Sequence, residues 1–183
     1  MKTTHPLSDA LARSVILHDQ DSLLTAIGRL GREIDQALDG ERAVFLTVMN
    51  GALVFAGHLA LAITTDLEFD YAHATRYRGG TAGHEIEWLR RPAVDLSGRT
   101  VLLVDDILDE GHTLLAVRDA CMNELGAERV LVAALCVKRH DRLVPGIEAD
   151  FVGVDVPDAY VYGFGMDYYE QGRNLPAIWA LRD

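Results

Sequence analysis

Apolar residues recur along this chain in two rhythms, and the alternation between them predicts its architecture. In SLLTAIGRLGREIDQAL, residues 22–38, Leu23, Leu24, Ile27, Leu30, Ile34 and Leu38 share one helical stripe. Asp21 stands where a cap belongs, and Asp39 with Gly40 marks the close. AVFLTVM, 43–49, is instead an unbroken apolar run that stops at Asn50 and Gly51, the signature of a strand buried on both faces. ALVFAGHLALAI, 52–63, is apolar nearly all round and predicts a buried helix. LEFDYAHATRY, 67–77, alternates as a strand does, and RGGTAGHE then breaks the pattern with three glycines, which predicts a mobile loop.

TVLLVD, 100–105, and RVLVAALCV, 129–137, are two more buried strands. Between them, TLLAVRDACMNELG keeps Leu114, Val117, Cys121 and Leu125 at helical spacing and places Gly126 at the C-cap. DFVGVDV, 150–156, supplies one further strand. Strand and helix alternating in this way predict an α/β fold, a parallel sheet with helices on both faces whose ligands sit beyond the carboxyl ends of the strands. No repeat, low-complexity tract or linker divides it, so residues 1–183 read as a single domain with an appendage.

Composition narrows the class. A chain of 183 residues that is 49% hydrophobic can bury one substantial core. Its 17 Lys and Arg against 28 Asp and Glu leave a net charge of −11, which disfavours nucleic acid and anionic membrane as partners. An anionic ligand must therefore meet a local basic patch or a metal. Cys121 and Cys136 lie in apolar segments and read as buried thiols of a reducing compartment. The opening MKTTHPLSDALARSV lacks the apolar region of a signal peptide, and ALVFAGHLALAI is too short to span a bilayer, so the expected location is cytoplasmic. The seven histidines show no H-E-x-x-H spacing and suggest no zinc; His58 reads as a core residue or a polar contact between subunits.

The chemistry concentrates in VLLVDDILDEGHTL, 101–114, where four apolar residues run into Asp105, Asp106, Asp109 and Glu110 before Gly111. Helix capping accounts for one aspartate, not for three with a glutamate. A receiver-like magnesium pocket would place its acid pair earlier in the chain. A glycine-containing turn from strand into helix binds phosphate through backbone N–H groups. Acids beside it can grip sugar hydroxyls, steer a hard cation or take a proton. The cluster thus points to a phosphorylated sugar with a metal.

This stretch resembles the phosphoribosyl pyrophosphate (PRPP) signature of type I phosphoribosyltransferases. VMNGALVF is similar to the pyrophosphate loop of the hypoxanthine-guanine phosphoribosyltransferase family, RYRGGTAG to its flexible loop, and VKRH with VPDAYVYGFGMDYYEQGRNLP to its purine-binding half. The resemblance runs from about residue 15 almost to the end. It implies a type I phosphoribosyltransferase core with a small hood from the terminal segments, and transfer of phosphoribose from PRPP to a 6-oxopurine with Mg2+.

By the same resemblance Asp105 and Asp106 engage the ribose hydroxyls, in part through the metal, and Asp109 is the general base or hydrogen-bond partner near purine N7. The Glu110, Gly111, His112 and Thr113 amides, with the Thr113 hydroxyl, hold the 5′-phosphate; Asn50, Gly51 and Met49 line the pyrophosphate, which Arg173 also pairs. Lys138 donates to O6, Tyr160 stacks on the base, Val161 reads its other edge, and Asp167 touches the metal or its waters. Arg76 and Tyr77 belong to the closing loop.

The chain departs from the family pattern at Asn50, where Lys is common, at Arg76, where Ser is common, and at Glu110 and His112 in the phosphate loop. The expected resolution at Glu110 is a side chain turned outward that lends only its amide. A phosphoribosyltransferase-fold regulator is the alternative function, and it should carry a helix-turn-helix or a basic face; neither is seen. The apolar 52–63 helix suggests a homodimer or homotetramer.

Overall fold

The computed structural model describes residues 5–76 and 86–182. In chain order the elements are α1 (Leu7–Ala12), β1 (Ser14–His18), α2 (Gln20–Leu38), β2 (Val44–Val48), α3 (Leu53–Ala62), β3 (Glu68–Arg76), β4 (Ile86–Arg90), β5 (Thr100–Leu108), α4 (His112–Asn123), β6 (Arg129–Lys138), β7 (Phe151–Val156), β8 (Val161–Tyr162) and β9 (Ile178–Leu181). Six strands form one sheet in the order β4-β3-β2-β5-β6-β7. All its pairings are parallel except β3 with β4, so the sheet is mixed at one edge rather than wholly parallel. That edge strand, Ile-Glu-Trp-Leu-Arg, escapes a hydrophobicity reading because edge strands carry charge on their open side.

The buried strands show why both faces are covered. On one face Phe45, Leu102 and Ala133 pack with Leu23, Ile27 and Ile34 of α2 and Phe55 of α3. On the other, Val44, Val101 and Val132 pack with Leu114, Val117 and Cys121 of α4. Neighbouring residues of one strand thus enter opposite cores, as the pleat requires. Cys121 and Cys136 are free and buried, and burial pushes the Cys121 thiol up to about 11.

The α2 stripe is narrower than its spacing suggests. Leu24 is exposed, since it lies about 100° around the helix from Leu23. The cap is Asp19 rather than Asp21: its carboxylate accepts the Ser22 amide at 2.9 Å, and Asp21 sits in the first turn. Gly31 lets α3 approach closely, because a Cβ there would lie 2.4 Å from the Ala62 carbonyl oxygen. The α3 helix is not buried all round. Phe55, Ala56 and Leu59 face the core, but Leu53 and Leu61 are exposed.

Asp35 ties these helices to the chain that follows. Its carboxylate accepts from the amides and hydroxyls of both Thr64 and Thr65, at 2.8–3.0 Å. Partial burial would raise this carboxyl, but the bonds from Thr65 and Thr64 outweigh it and hold it below its usual range. A folded value below the unfolded one, near 3.9, means that Asp35 stabilises the fold above about pH 4, and that this contribution is lost as pH falls through the folded value. Asp35→Ala is expected to lower stability at pH 7 by about 1–2 kcal/mol, and by less near pH 3. Urea melts at the two pH values check this; an equal loss at both would show that the carboxylate charge is irrelevant.

A second, three-stranded sheet, β1-β9-β8, is antiparallel throughout and joins residues from both ends of the described chain. Val15 faces Ala180, and the Arg182 amide donates to the Arg13 carbonyl at 2.8 Å. Tyr162 is fully buried beneath it, its hydroxyl donating to Ser14 Oγ at 2.8 Å. This sheet lies beside the carboxyl ends of β2 and β5, where Gly165 approaches Gly51 so closely that a Cβ would stand 2.0 Å from the Gly51 carbonyl oxygen.

Candidate active site

The carboxyl ends of β2, β3 and β5 open into a cleft of about 590 Å3. It is lined by Asn50 and Gly51 after β2, His73 and Thr75 on β3, Asp105, Asp106 and Asp109 on or just after β5, and residues 110–113 where α4 begins. Asp167, Glu170 and Arg173 form its far wall. A second pocket of about 270 Å3 adjoins it, lined by Lys138, Tyr160, Val161 and Met166. The two share Asp106, Ile107, Asp109 and Asp167. The residues expected to hold phosphate therefore line one cavity, those expected to hold the base line the other, and Asp109 stands between them.

Strand β5 runs to Leu108, three residues beyond its expected end at Asp105, so Asp106 also lies within the strand rather than after it. Neighbours on a strand point to opposite sides, and both residues line the cleft. The Asp106 amide donates to Asp105 Oδ1 at 3.0 Å. Burial, then the neighbouring Asp106, pushes the Asp105 carboxyl well above the carboxylate range; burial also raises Asp106. Gly51 is packed on this pair, since a Cβ there would lie 1.9 Å from Asp106 Oδ2. The Met49–Asn50 peptide beside it is cis.

Asp109 is gripped from two sides. Lys138 Nζ donates to Oδ2 at 2.6 Å and His140 Nε2 lies 2.7 Å from Oδ1. Burial would raise this carboxyl, but the hydrogen bonds from Lys138 and His140 and the Lys138 charge prevail and keep it lowered, hence ionised at neutral pH. Gly111, with φ +81, turns the chain into α4; a Cβ there would strike Ile147 at 2.7 Å. The α4 helix starts at His112, so the first-turn amides, which have no partner within a helix, border the cleft.

The Glu110 side chain does not simply turn away from the phosphate loop. It lies between Arg142 Nε and His112 Nε2, each 3.8 Å from one of its oxygens, so the Arg142 guanidinium offsets its charge. Arg173 Nη2 pairs with Asp167 at 2.7 Å and Glu170 at 3.0 Å, and Nη1 donates to the Gly165 carbonyl at 3.0 Å. Tyr160 is 46% exposed with its hydroxyl donating to the Asp167 carbonyl at 3.3 Å, and its ring has Tyr168 edge-on at 5.7 Å and Tyr169 nearly parallel at 6.5 Å. Val161 is held in the small sheet opposite Ala180. Arg76 ends β3. Tyr77 and the glycine-rich loop lie outside the described residues.

His73, Thr75, His140, Arg142, Met166 and Glu170 are among the residues that the sequence did not assign. His140 had a visible signal, its place in VKRH beside Lys138. Among the described residues, no three His, Cys, Asp or Glu side chains are gathered as a metal cage. Asp105, Asp106 and Asp167 nonetheless offer carboxylate oxygens around one cleft, which suits a cation that takes one or two carboxylates and completes its shell with water and substrate phosphate.

Residues 16–171 match the family model for the phosphoribosyl transferase domain. Hypoxanthine-guanine phosphoribosyltransferases of Streptococcus thermophilus and Streptococcus pneumoniae are 36% and 34% identical over 169 residues, covering 92% of this chain and 93% of each relative. The structure superposes on a hypoxanthine phosphoribosyltransferase from Staphylococcus aureus with a TM-score of 0.87 at 26% identity, covering 100% of this chain and 97% of that one. A Bacillus anthracis hypoxanthine-guanine phosphoribosyltransferase matches with a TM-score of 0.85 at 28% identity over 92% of this chain and 98% of its own. The chain belongs to the hypoxanthine-guanine phosphoribosyltransferase family. No helix among the described residues is long and apolar enough to cross a membrane.

Proposed function

We infer that this protein is a purine salvage enzyme, a pentosyltransferase that moves phosphoribose from PRPP to hypoxanthine or guanine and releases IMP or GMP with pyrophosphate. The observation that carries this reading is the Lys138–Asp109 pair, 2.6 Å apart where the two pockets meet. A 6-oxopurine presents an acceptor, O6, beside a donor, N7–H. An ammonium and a carboxylate side by side are the complement of that edge, whereas the 6-amino group of adenine meets Lys138 donor to donor.

In the reaction, purine N9 forms the bond to C1′ of the ribose as the bond from C1′ to the pyrophosphate oxygen breaks, and the N7 proton passes to Asp109 Oδ2. Asp105 and Asp106 lie below the ribose, near the positive charge that develops at C1′. The α4 amides and the Thr113 hydroxyl hold the 5′-phosphate, while Asn50, Gly51 and Arg173 face the pyrophosphate. Tyr160 stacks on the base under the β1-β9-β8 hood, which the whole chain, as one domain, folds over the site. Asp105, Asp106 and Asp167 are the residues that would hold Mg2+, whose chemistry is to neutralise the leaving pyrophosphate. Exposed Leu53, Leu61, Phe69 and Tyr71 support assembly as a homodimer or homotetramer, and the two buried free thiols support a cytoplasmic setting.

The direct test is nucleotide formation from PRPP and Mg2+ with hypoxanthine, guanine, xanthine or adenine offered in turn. Product with a 6-oxopurine supports the reading; no nucleotide from any base overturns it. Lys138→Ala is expected to reduce the preference for hypoxanthine over adenine, in kcat/KM, by roughly 10- to 100-fold, the scale of a lost hydrogen bond from a charged donor. An unchanged ratio would remove Lys138 from base selection.

A further inference from the structure

Only one of the two partners that grip Asp109 has a place in the reaction described above. The other, His140, is aimed by a contact outside both pockets. Its Nδ1 accepts the Arg142 backbone N–H at 3.0 Å. A nitrogen that accepts cannot also carry a hydrogen, so the ring proton sits on Nε2 and faces Asp109 Oδ1, 2.7 Å away. The ring is only 3% exposed, while the carboxylate that it holds is 40% exposed. Arg142 is itself anchored, its guanidinium bound to both Asp158 oxygens at 2.8 and 2.7 Å.

We propose that His140 is a positioning residue for phosphoribosyl transfer: its Nε2–H holds Asp109 Oδ1 so that Oδ2 stays aimed at purine N7 when Lys138 turns to O6. The proposal rests on Asp109 being the group that receives the N7 proton. In the structure Lys138 occupies the same oxygen that the purine must use. Once the ammonium moves to the base, the carboxylate keeps a single side-chain anchor among the described residues, and that anchor is His140. Without it the carboxylate can rotate about its own bonds, and a misplacement of a fraction of an ångström is costly in a proton transfer. The same N–H also favours the ionised form that must accept the proton.

Asp109 is not isolated from other charge. Asp106 and Glu110 flank it on its own segment, Lys138 and Arg142 approach from β6 and the loop after it, and Asp167 lies across the base pocket. The test therefore reads the effect of the histidine through Asp109 itself. His140→Leu keeps bulk and removes the donor; His140→Gln can place an N–H near the position of Nε2.

His140→Leu is expected to lower kcat roughly 10- to 100-fold with KM for PRPP changed by less than about threefold, the usual scale when a partner that orients a functional group is removed. It should also move the acid limb of kcat/KM to higher pH. His140→Gln should recover most of the lost rate with the acid limb near its original place, which a merely structural contribution would not do. In an Asp109→Asn background, His140→Leu should lower kcat by less than about twofold, because nothing remains to be positioned. A His140→Leu enzyme within about twofold of wild type, a Gln variant as slow as the Leu variant, or an undiminished loss in the Asn background would each overturn the proposal. If Asp109→Asn alone leaves kcat intact, the assignment of Asp109 fails first; a large loss at Asp109 with none at His140 sinks only this inference.

Discussion

Asp109→Asn should lower kcat by roughly 10²- to 10⁴-fold, the range expected when a positioned acid–base group is lost. The amide is nearly isosteric and its oxygen can still accept from Lys138 or His140, so the pocket keeps its shape. It cannot take a proton. PRPP binding should survive, because the phosphate cleft is built from Asn50, Gly51, the α4 terminus and Arg173, none of which depends on the Asp109 charge. Rapid-mix kinetics with a separate PRPP binding titration would separate the two effects. A variant within about twofold of wild type in kcat would remove Asp109 from the mechanism.

Removing divalent cations should have an effect at least as large, with turnover falling below detection in excess chelator and returning with added Mg2+. The reason is local charge. Asp109, Glu110, Asp167 and Glu170 line the phosphate cleft beside the buried Asp105 and Asp106, whose carboxyls burial raises, and Arg173 is the sole Lys or Arg among its described lining residues. Arg173 is already shared between Asp167 and Glu170. Asn50 adds no charge where many relatives of the family pattern carry a lysine. A polyanion such as PRPP cannot settle against such a wall unless cations arrive with it. Full activity in excess chelator would defeat this account.

What could be read from the chain follows from where each element's information lies. The strands β2, β5 and β6 are buried on both faces, so their apolar runs announce themselves, and α2 shows its stripe because one side meets water. The short β1, β8 and β9 have no such pattern; each becomes a strand only by finding the others across the sequence. The acid cluster was legible because Asp105, Asp106 and Asp109 are neighbours in sequence as well as in space. Lys138 and Tyr160 were legible only through family resemblance, since nothing local marks a lysine at a strand end as a base ligand. His140 and the Arg142–Glu110 contact depend on a loop folding back onto the phosphate turn, and no short window of sequence contains both partners.

The pairing of β1 with β9 sets Ser14 opposite Leu181, and so joins segments separated by most of the sequence. Such a contact has a high loop-closure entropy and belongs late on a folding path, after the locally connected β5-α4-β6 unit has formed. The two halves of the site thus mature at different times. The turn from β5 into α4 needs only neighbouring elements, whereas Arg173 in the phosphate cleft and Tyr160 and Val161 in the base pocket wait for the chain to close on itself. The Lys138–Asp109 pair that reads the 6-oxopurine edge belongs to the locally connected unit, so on this order the discriminating contact precedes the enclosure of the base by Tyr160 and Val161.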